Sequence, residues 1–96
     1  MSSIIVIRSG NRVGQRILLG SNPLTLGRKT DNEVVIVGAN TSRYHAQIVQ
    51  EETSFVLYDS ASHNGTYVNE RRVTRHVLRP NDFIRIGYET FLYEAG

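Results

Sequence analysis

The chain contains no cysteine, so neither disulfides nor thiolate-bound metal can stabilise it. It has a single lysine, Lys29, against ten arginines. No apolar stretch approaches the roughly 20 residues needed for a membrane span, so no membrane association is expected. The N-terminus, Met1-Ser2-Ser3-Ile4, lacks the basic segment and long apolar run of a secretory signal, so a cytoplasmic setting is the expectation. No window sustains the i, i+3, i+4, i+7 recurrence of an amphipathic helix. Repeats, low-complexity tracts and linkers are also missing, and residues 1–96 are expected to form one domain.

What remains is a chain of 96 residues with 40% hydrophobic and 21% charged residues, a globular balance. The formal net charge is +2, with nine acids interspersed among eleven bases. That is weaker than the basic profile of a nucleic-acid binder, so no nucleic-acid partner is expected. The competing reading, a basic β-barrel that binds nucleic acid, would stack bases on Tyr44, Tyr67 and Tyr88 beside several arginines. The preference for arginine over lysine suits planar, bidentate contact with phosphate or carboxylate.

Period-two alternation recurs from end to end. Strands are predicted at residues 4–8, 16–19, 24–27, 34–36, 46–50, 55–59, 66–68, 76–78, 83–86 and 90–93, many rich in Val, Ile, Tyr and Phe. Turn residues separate them: Ser9-Gly10-Asn11, Gly20-Ser21-Asn22-Pro23, Lys29-Thr30-Asp31-Asn32, Ser62-His63-Asn64-Gly65 and Arg79-Pro80-Asn81-Asp82. About ten short strands at this spacing predict an all-β sandwich or barrel. Binding residues in such folds sit on loops over a rigid scaffold.

Three polar motifs fall at strand ends. Gly27-Arg28 ends one apolar run, and Gly27 permits an unusual backbone angle or the close approach of another chain. Ser42-Arg43-Tyr44-His45 leads into the strand at Ala46, with His45 facing inward if alternation starts at Tyr44. Asn64-Gly65-Thr66 follows, with Asn69 close enough in sequence to brace the same loop. Asn64-Gly65 alone reads as a hairpin turn, yet a loop asparagine also offers an amide and a carbonyl to a bound peptide. Ser42, His45 and Asp59 supply the residue types of a hydrolytic triad. No Gly-x-Ser-x-Gly turn precedes a helix, however, and no catalytic residue is assigned. Three scattered histidines without an acidic cluster make neither a metal site nor a cofactor site.

Gly27-Arg28, Ser42-Arg43-x-His45-Ala46, Asp59-x-x-Ser62-x-Asn64-Gly65-Thr66-x-Val68-Asn69 and Leu78-x-x-x-Asp82-x-Ile84-x-Ile86-Gly87 together resemble the forkhead-associated domain family over nearly the whole chain. The resemblance implies a β-sandwich of about eleven short, mostly antiparallel strands that binds phosphothreonine peptides on its apical loops. Arg28, Ser42 and Arg43 would hold the phosphate, and Asn64 the peptide backbone. Gly27, His45, Gly65, Thr66 and Asn69 would shape the loops, with Thr66 also lining a pocket for the threonine methyl. Selectivity beyond the phosphate would come from Asn40, Thr41 and the loop at residues 60–63. The partner is then a phosphothreonine-bearing protein or peptide, in signalling. The alternative is a phosphate-independent scaffold of the same fold that binds a partner, or weakly itself, through a sandwich face or an exposed strand edge such as the apolar strand at Ile4–Ile7. Two positions depart from the family pattern: Asn81 stands where glycine is usual, and His63 where Ser, Thr or Arg is frequent. Asparagine tolerates positive φ, so the turn at Asn81 is expected to survive.

Overall fold

A computed structural model describes residues 3–95. Eleven strands form two sheets: β1 (Ser3–Ile7), β2 (Arg16–Leu19), β3 (Leu24–Gly27), β4 (Val34–Val35), β5 (Ala46–Glu51), β6 (Ser54–Asp59), β7 (Thr66–Val68), β8 (Arg71–Val73), β9 (Arg75–Val77), β10 (Phe83–Ile86) and β11 (Glu89–Ala95). The six-stranded sheet runs β2-β1-β11-β10-β7-β8, and the five-stranded sheet runs β4-β3-β5-β6-β9. Every pairing is antiparallel except β3 with β4. A single 3₁₀ turn at Gly10–Arg12 is the helical element among the described residues, and no helix there is long and apolar enough to cross a membrane.

The alternation read from the sequence sets which side chains face inward. Along β10, Ile84 and Ile86 are buried while Phe83 and Arg85 are only partly so. The inward residues of both sheets meet in one apolar core, with Ile5, Ile7, Leu26, Ile48, Leu57 and Phe91 almost fully excluded from water. Burying a side chain of this size contributes about 1.5–3 kcal/mol.

Three expectations are corrected. The predicted strands coincide with observed ones, but β8 escaped notice because Arg71-Arg72-Val73 shows no apolar alternation. The tight hairpin of this region is not at Asn64-Gly65, which links β6 of one sheet to β7 of the other. It is at Asn69-Glu70, where φ of 50° and 67° matches the positive-φ pair that a two-residue hairpin requires. Finally, β1 lies between β2 and β11, so the apolar strand at Ile4–Ile7 offers no free edge for self-association.

Asp82 ties three elements together at one end. Its Oδ1 accepts from Asn69 Nδ2 at 2.9 Å. Its Oδ2 accepts from the Arg79 backbone N–H at 2.8 Å and from His76 Nε2 at 2.9 Å. Asn69 Oδ1 in turn accepts from the Phe83 N–H at 2.9 Å. Asn69 therefore braces the turn before β10 and not the Asn64 loop. The preceding Asn81 has φ of 74°, so asparagine does hold the conformation for which the family uses glycine. Burial raises the Asp82 pKa, but the bonds from Arg79, His76 and Asn69 outweigh it and hold the carboxyl below its ordinary range.

A carboxyl whose folded pKa lies below its unfolded value contributes stability that is present above about pH 4 and lost as pH falls through the folded pKa. The urea midpoint is expected to fall as pH drops from 5 toward 2. Asp82→Asn, which turns one acceptor into a donor facing either Asn69 Nδ2 or the Arg79 N–H and His76, is expected to cost about 1–3 kcal/mol at neutral pH and to flatten that acid limb. Parallel acid limbs in the two proteins would show that Asp82 is not a source of the pH dependence.

Candidate functional site

The candidate site is built on the β3–β4, β4–β5 and β6–β7 loops, which backbone and side-chain hydrogen bonds hold together at one end of the sandwich. The Arg28 N–H donates to the Ser42 carbonyl at 3.0 Å, and the Lys29 N–H to the Arg43 carbonyl at 3.2 Å. The Arg43 carbonyl thus sits directly over Gly27. A Cβ at Gly27 would meet that oxygen at 2.3 Å and Asn32 Nδ2 at 2.8 Å, so no larger residue fits without displacing backbone. Asn32 is buried, and its Nδ2 bonds the carbonyls of Lys29 and Arg43 at 2.9 and 2.8 Å. Its Oδ1 has no hydrogen-bond partner among the described residues, a cost accepted where both amide protons are used to join the two loops. In the sequence this residue looks like one more turn asparagine.

His45 is fully buried and bridges the loops from within. Its Nδ1 accepts the Ser42 backbone N–H at 3.1 Å, and its Nε2 lies 2.8 Å from the Gly65 carbonyl. A backbone N–H can only donate, so the ring proton is on Nε2 and is given to Gly65. Gly65 adopts φ of 93° and is covered by the Arg72 side chain. Its own N–H donates to Ser62 Oγ at 3.0 Å.

Asp59 anchors the far side of the same loop. It accepts from the Ser62 hydroxyl, from the Ser62 N–H at 3.0 Å and from the Thr66 hydroxyl at 2.7 Å. Burial raises its pKa, but the bonds from Ser62 and Thr66 lower it further than burial lifts it. Thr66 is completely buried by this arrangement. It holds the turn, but it has no exposed methyl with which to line a ligand pocket. Thr41 is likewise buried and cannot read a peptide side chain.

Groups able to bind an anion face solvent on these loops, alongside the exposed carboxylates of Asp31 and Glu33. Arg28 is exposed, and its Nε donates to the Thr41 carbonyl at 3.1 Å. That bond orients the guanidinium and leaves both terminal NH₂ groups without a protein partner among the described residues. Arg43 is exposed and makes no side-chain bond there. Ser42 Oγ accepts the His63 backbone N–H at 3.1 Å, so its own proton stays available to donate. Exposed Asn64 is fixed by a bond from its Nδ2 to the Asn40 carbonyl at 3.2 Å. Next to Asn64 an open groove of about 380 Å³ is lined by Asn40, Gly65, Tyr67, Arg85, Gly87 and Tyr88. Arg85 stacks on the Tyr67 ring at 4.3 Å from its centroid. Tyr67, Arg85 and Tyr88 are not fixed positions of any motif quoted above, and only folding brings Asn40, Arg85, Gly87 and Tyr88 beside Asn64.

The same geometry lacks the relay of a hydrolase. The imidazole of His45 faces backbone groups and not Ser42 Oγ, while the Asp59 carboxylate is directed at Ser62 and Thr66. No general base lies on the serine hydroxyl.

The sequence model of the FHA domain matches residues 24–87. The chain belongs to the FHA domain family. The oxoglutarate dehydrogenase inhibitor of Corynebacterium efficiens is 34% identical over 95 residues, covering 99% of this chain and 67% of that protein. The chain spans 59–67% of the length of the curated relatives it matches from end to end. An FHA domain structure from a structural and functional analysis of phosphothreonine-dependent FHA domain interactions superposes with a TM-score of 0.90 at 26% identity, covering 100% of this chain and 98% of its own. EmbR of Mycobacterium tuberculosis, solved with a low-affinity phosphopeptide, gives a TM-score of 0.88 at 32% identity over 99% of this chain and 25% of its own.

Within this FHA domain, Gly27 is the position where loop packing tolerates least. Gly27→Ala is expected to lower stability by about 2 kcal/mol or more, because the added methyl must move the Arg43 carbonyl. Calorimetric melting checks this. An unchanged melting temperature would mean that the two loops are not packed at this point.

Proposed function

We propose that this chain is a non-catalytic interaction module that binds a phosphothreonine peptide on these loops, as part of a signalling protein. Arg28, Ser42 and Arg43 take the phosphate. Asn64 takes the peptide backbone beside it. The observation that carries this reading is that Arg43 makes no side-chain bond and Arg28 only the one through Nε among the described residues, on the same loops as a serine hydroxyl whose proton is available to donate. Gly27, His45, Gly65 and Asp59 hold the loops that present them.

The chemistry of the ligand matches that set. A phosphothreonine carries about −1.5 to −2 charge at neutral pH and three strong acceptor oxygens. Arg28, held at Nε, presents its outer edge as a fork suited to bidentate contact, and Arg43 adds a second charge. Each charge-assisted bond contributes about 1.5–3 kcal/mol, and ordering a flexible peptide offsets part of the sum. A net affinity near micromolar, about −8 kcal/mol, follows. Peptide residues beside the phosphothreonine fall on the groove lined by Asn40, Tyr67, Arg85 and Tyr88, and selectivity beyond the phosphate is assigned there.

Titration calorimetry with matched peptides carrying phosphothreonine, phosphoserine, threonine or glutamate tests the reading. The phosphothreonine peptide is expected to bind most tightly, and the glutamate peptide, with one charge and two oxygens, to bind far more weakly. Arg28→Ala is expected to weaken binding about tenfold to a hundredfold while leaving the melting temperature near that of the parent, the loss of one to two charge-assisted bonds. Equal affinity for the glutamate and phosphothreonine peptides, or normal binding by Arg28→Ala, would remove the phosphate from the mechanism.

A further inference from the structure

Residues 71–79 hold four of the ten arginines and no acid. The fold places this segment where the sandwich is open. β8 is the last strand of one sheet and β9 the last strand of the other, joined by Thr74 alone. Between the two edges lies an open groove of about 590 Å³, lined by Arg71, Arg72, Arg75 and Arg79, with Val73 and Val77 between the charges. Arg75 is shared with Glu51, 3.4 Å away. Arg71, Arg72 and Arg79 have no acidic partner among the described residues. The acid that does reach the groove, Asp82, is already engaged by Asn69, His76 and the Arg79 N–H.

Charged residues on an edge strand also guard against edge-to-edge aggregation. That role is served by isolated, outward charges, and it gives no reason for gathering four guanidinium groups of one sign around a single concavity. Like charges held close repel, and an anion entering the groove relieves that repulsion. Two open strand edges add backbone N–H and C=O groups, which an extended polypeptide can meet and other polyanions cannot use in register. No Phe, Tyr or Trp lines the groove, and the one ring there, His76, is tied to Asp82, so the groove lacks the row of stacking platforms of a single-strand nucleic-acid site.

We propose that the groove between the β8 and β9 edges is a second binding site, for an extended acidic segment of a polypeptide. Arg71, Arg72 and Arg79 pair with its carboxylates, and the open edges take its backbone. The site needs no phosphate and shares neither Arg28, Ser42 nor Arg43 with the loops described above.

The test is amide chemical-shift mapping on the isotope-labelled chain, titrated with an unphosphorylated glutamate-rich peptide. A glutamine-substituted peptide and a single-stranded oligonucleotide of equal charge are titrated alongside. The expected result is movement of amides within residues 71–79 for the glutamate peptide, absent for the glutamine peptide and weaker for the oligonucleotide. Arg71→Gln with Arg79→Gln is expected to weaken the glutamate peptide about tenfold or more, while Arg28→Ala leaves it unchanged. Added salt should weaken it as well, because the pairs are exposed. Silence at residues 71–79, an equal response to the glutamine peptide, or unaltered affinity in the double variant would overturn the proposal. Tighter binding of the oligonucleotide at the same amides would overturn the assignment to a polypeptide. Should the double variant fail to fold, the comparison of the glutamate and glutamine peptides on the parent chain decides.

Discussion

The neutral imidazole of His45 holds the candidate site together. It accepts from the Ser42 N–H and donates to the Gly65 carbonyl, joining the loop before β5 to the loop before β7 from inside the protein. Those strands belong to different sheets, so one ring spans the two layers of the sandwich. Both ring nitrogens are used, and neither is left unsatisfied in the interior, where an orphaned polar atom costs 1–3 kcal/mol or so. The Arg28 and Arg43 side chains act at the surface, but their separation is set by the backbone that this bridge, Gly27 and Asn32 fix in place.

Such rigidity matters for the proposed binding of a peptide. Recognition depends on donors already in position, because each side chain or loop that must be ordered on binding subtracts from the affinity. Arg28 is partly ordered by its bond to the Thr41 carbonyl, Asn64 by its bond to Asn40, and Ser42 by the His63 N–H. The loop carrying Asn64 is closed on itself through Asp59, whose carboxylate collects Ser62 and Thr66. Asp82 performs the same task at the turn before β10. A half-buried carboxylate, Asp59, and a buried one, Asp82, thus brace the loops, while the Arg28 and Arg43 side chains face solvent.

The proposed acidic-segment groove lies on a different part of the same scaffold and arises from a different cause. Where the chain crosses from β8 to β9 it leaves both sheets with a terminal strand, and the crossing segment is the most arginine-dense in the protein. Only Arg72 reaches toward the loops, lying over Gly65.

Much of the fold was legible because a half-buried strand writes its pattern directly into the chain. The alternation of β10 and β11 and the turn residues before β10 located those strands within a few residues. The motifs Gly27-Arg28, Ser42-Arg43 and Asn64-Gly65 marked the loops for the same local reason, since glycine and asparagine adopt backbone angles that other residues resist. β8 was hidden because an exposed edge strand needs no apolar face. Tertiary structure alone decided that β1 is interior, that Thr66 and Thr41 are buried, that Asn69 braces Asp82, and that four arginines share one groove. Each of these depends on which strands become neighbours across long stretches of chain. Strand pairing is settled by the summed burial of the whole core, and no single stretch of sequence carries that sum.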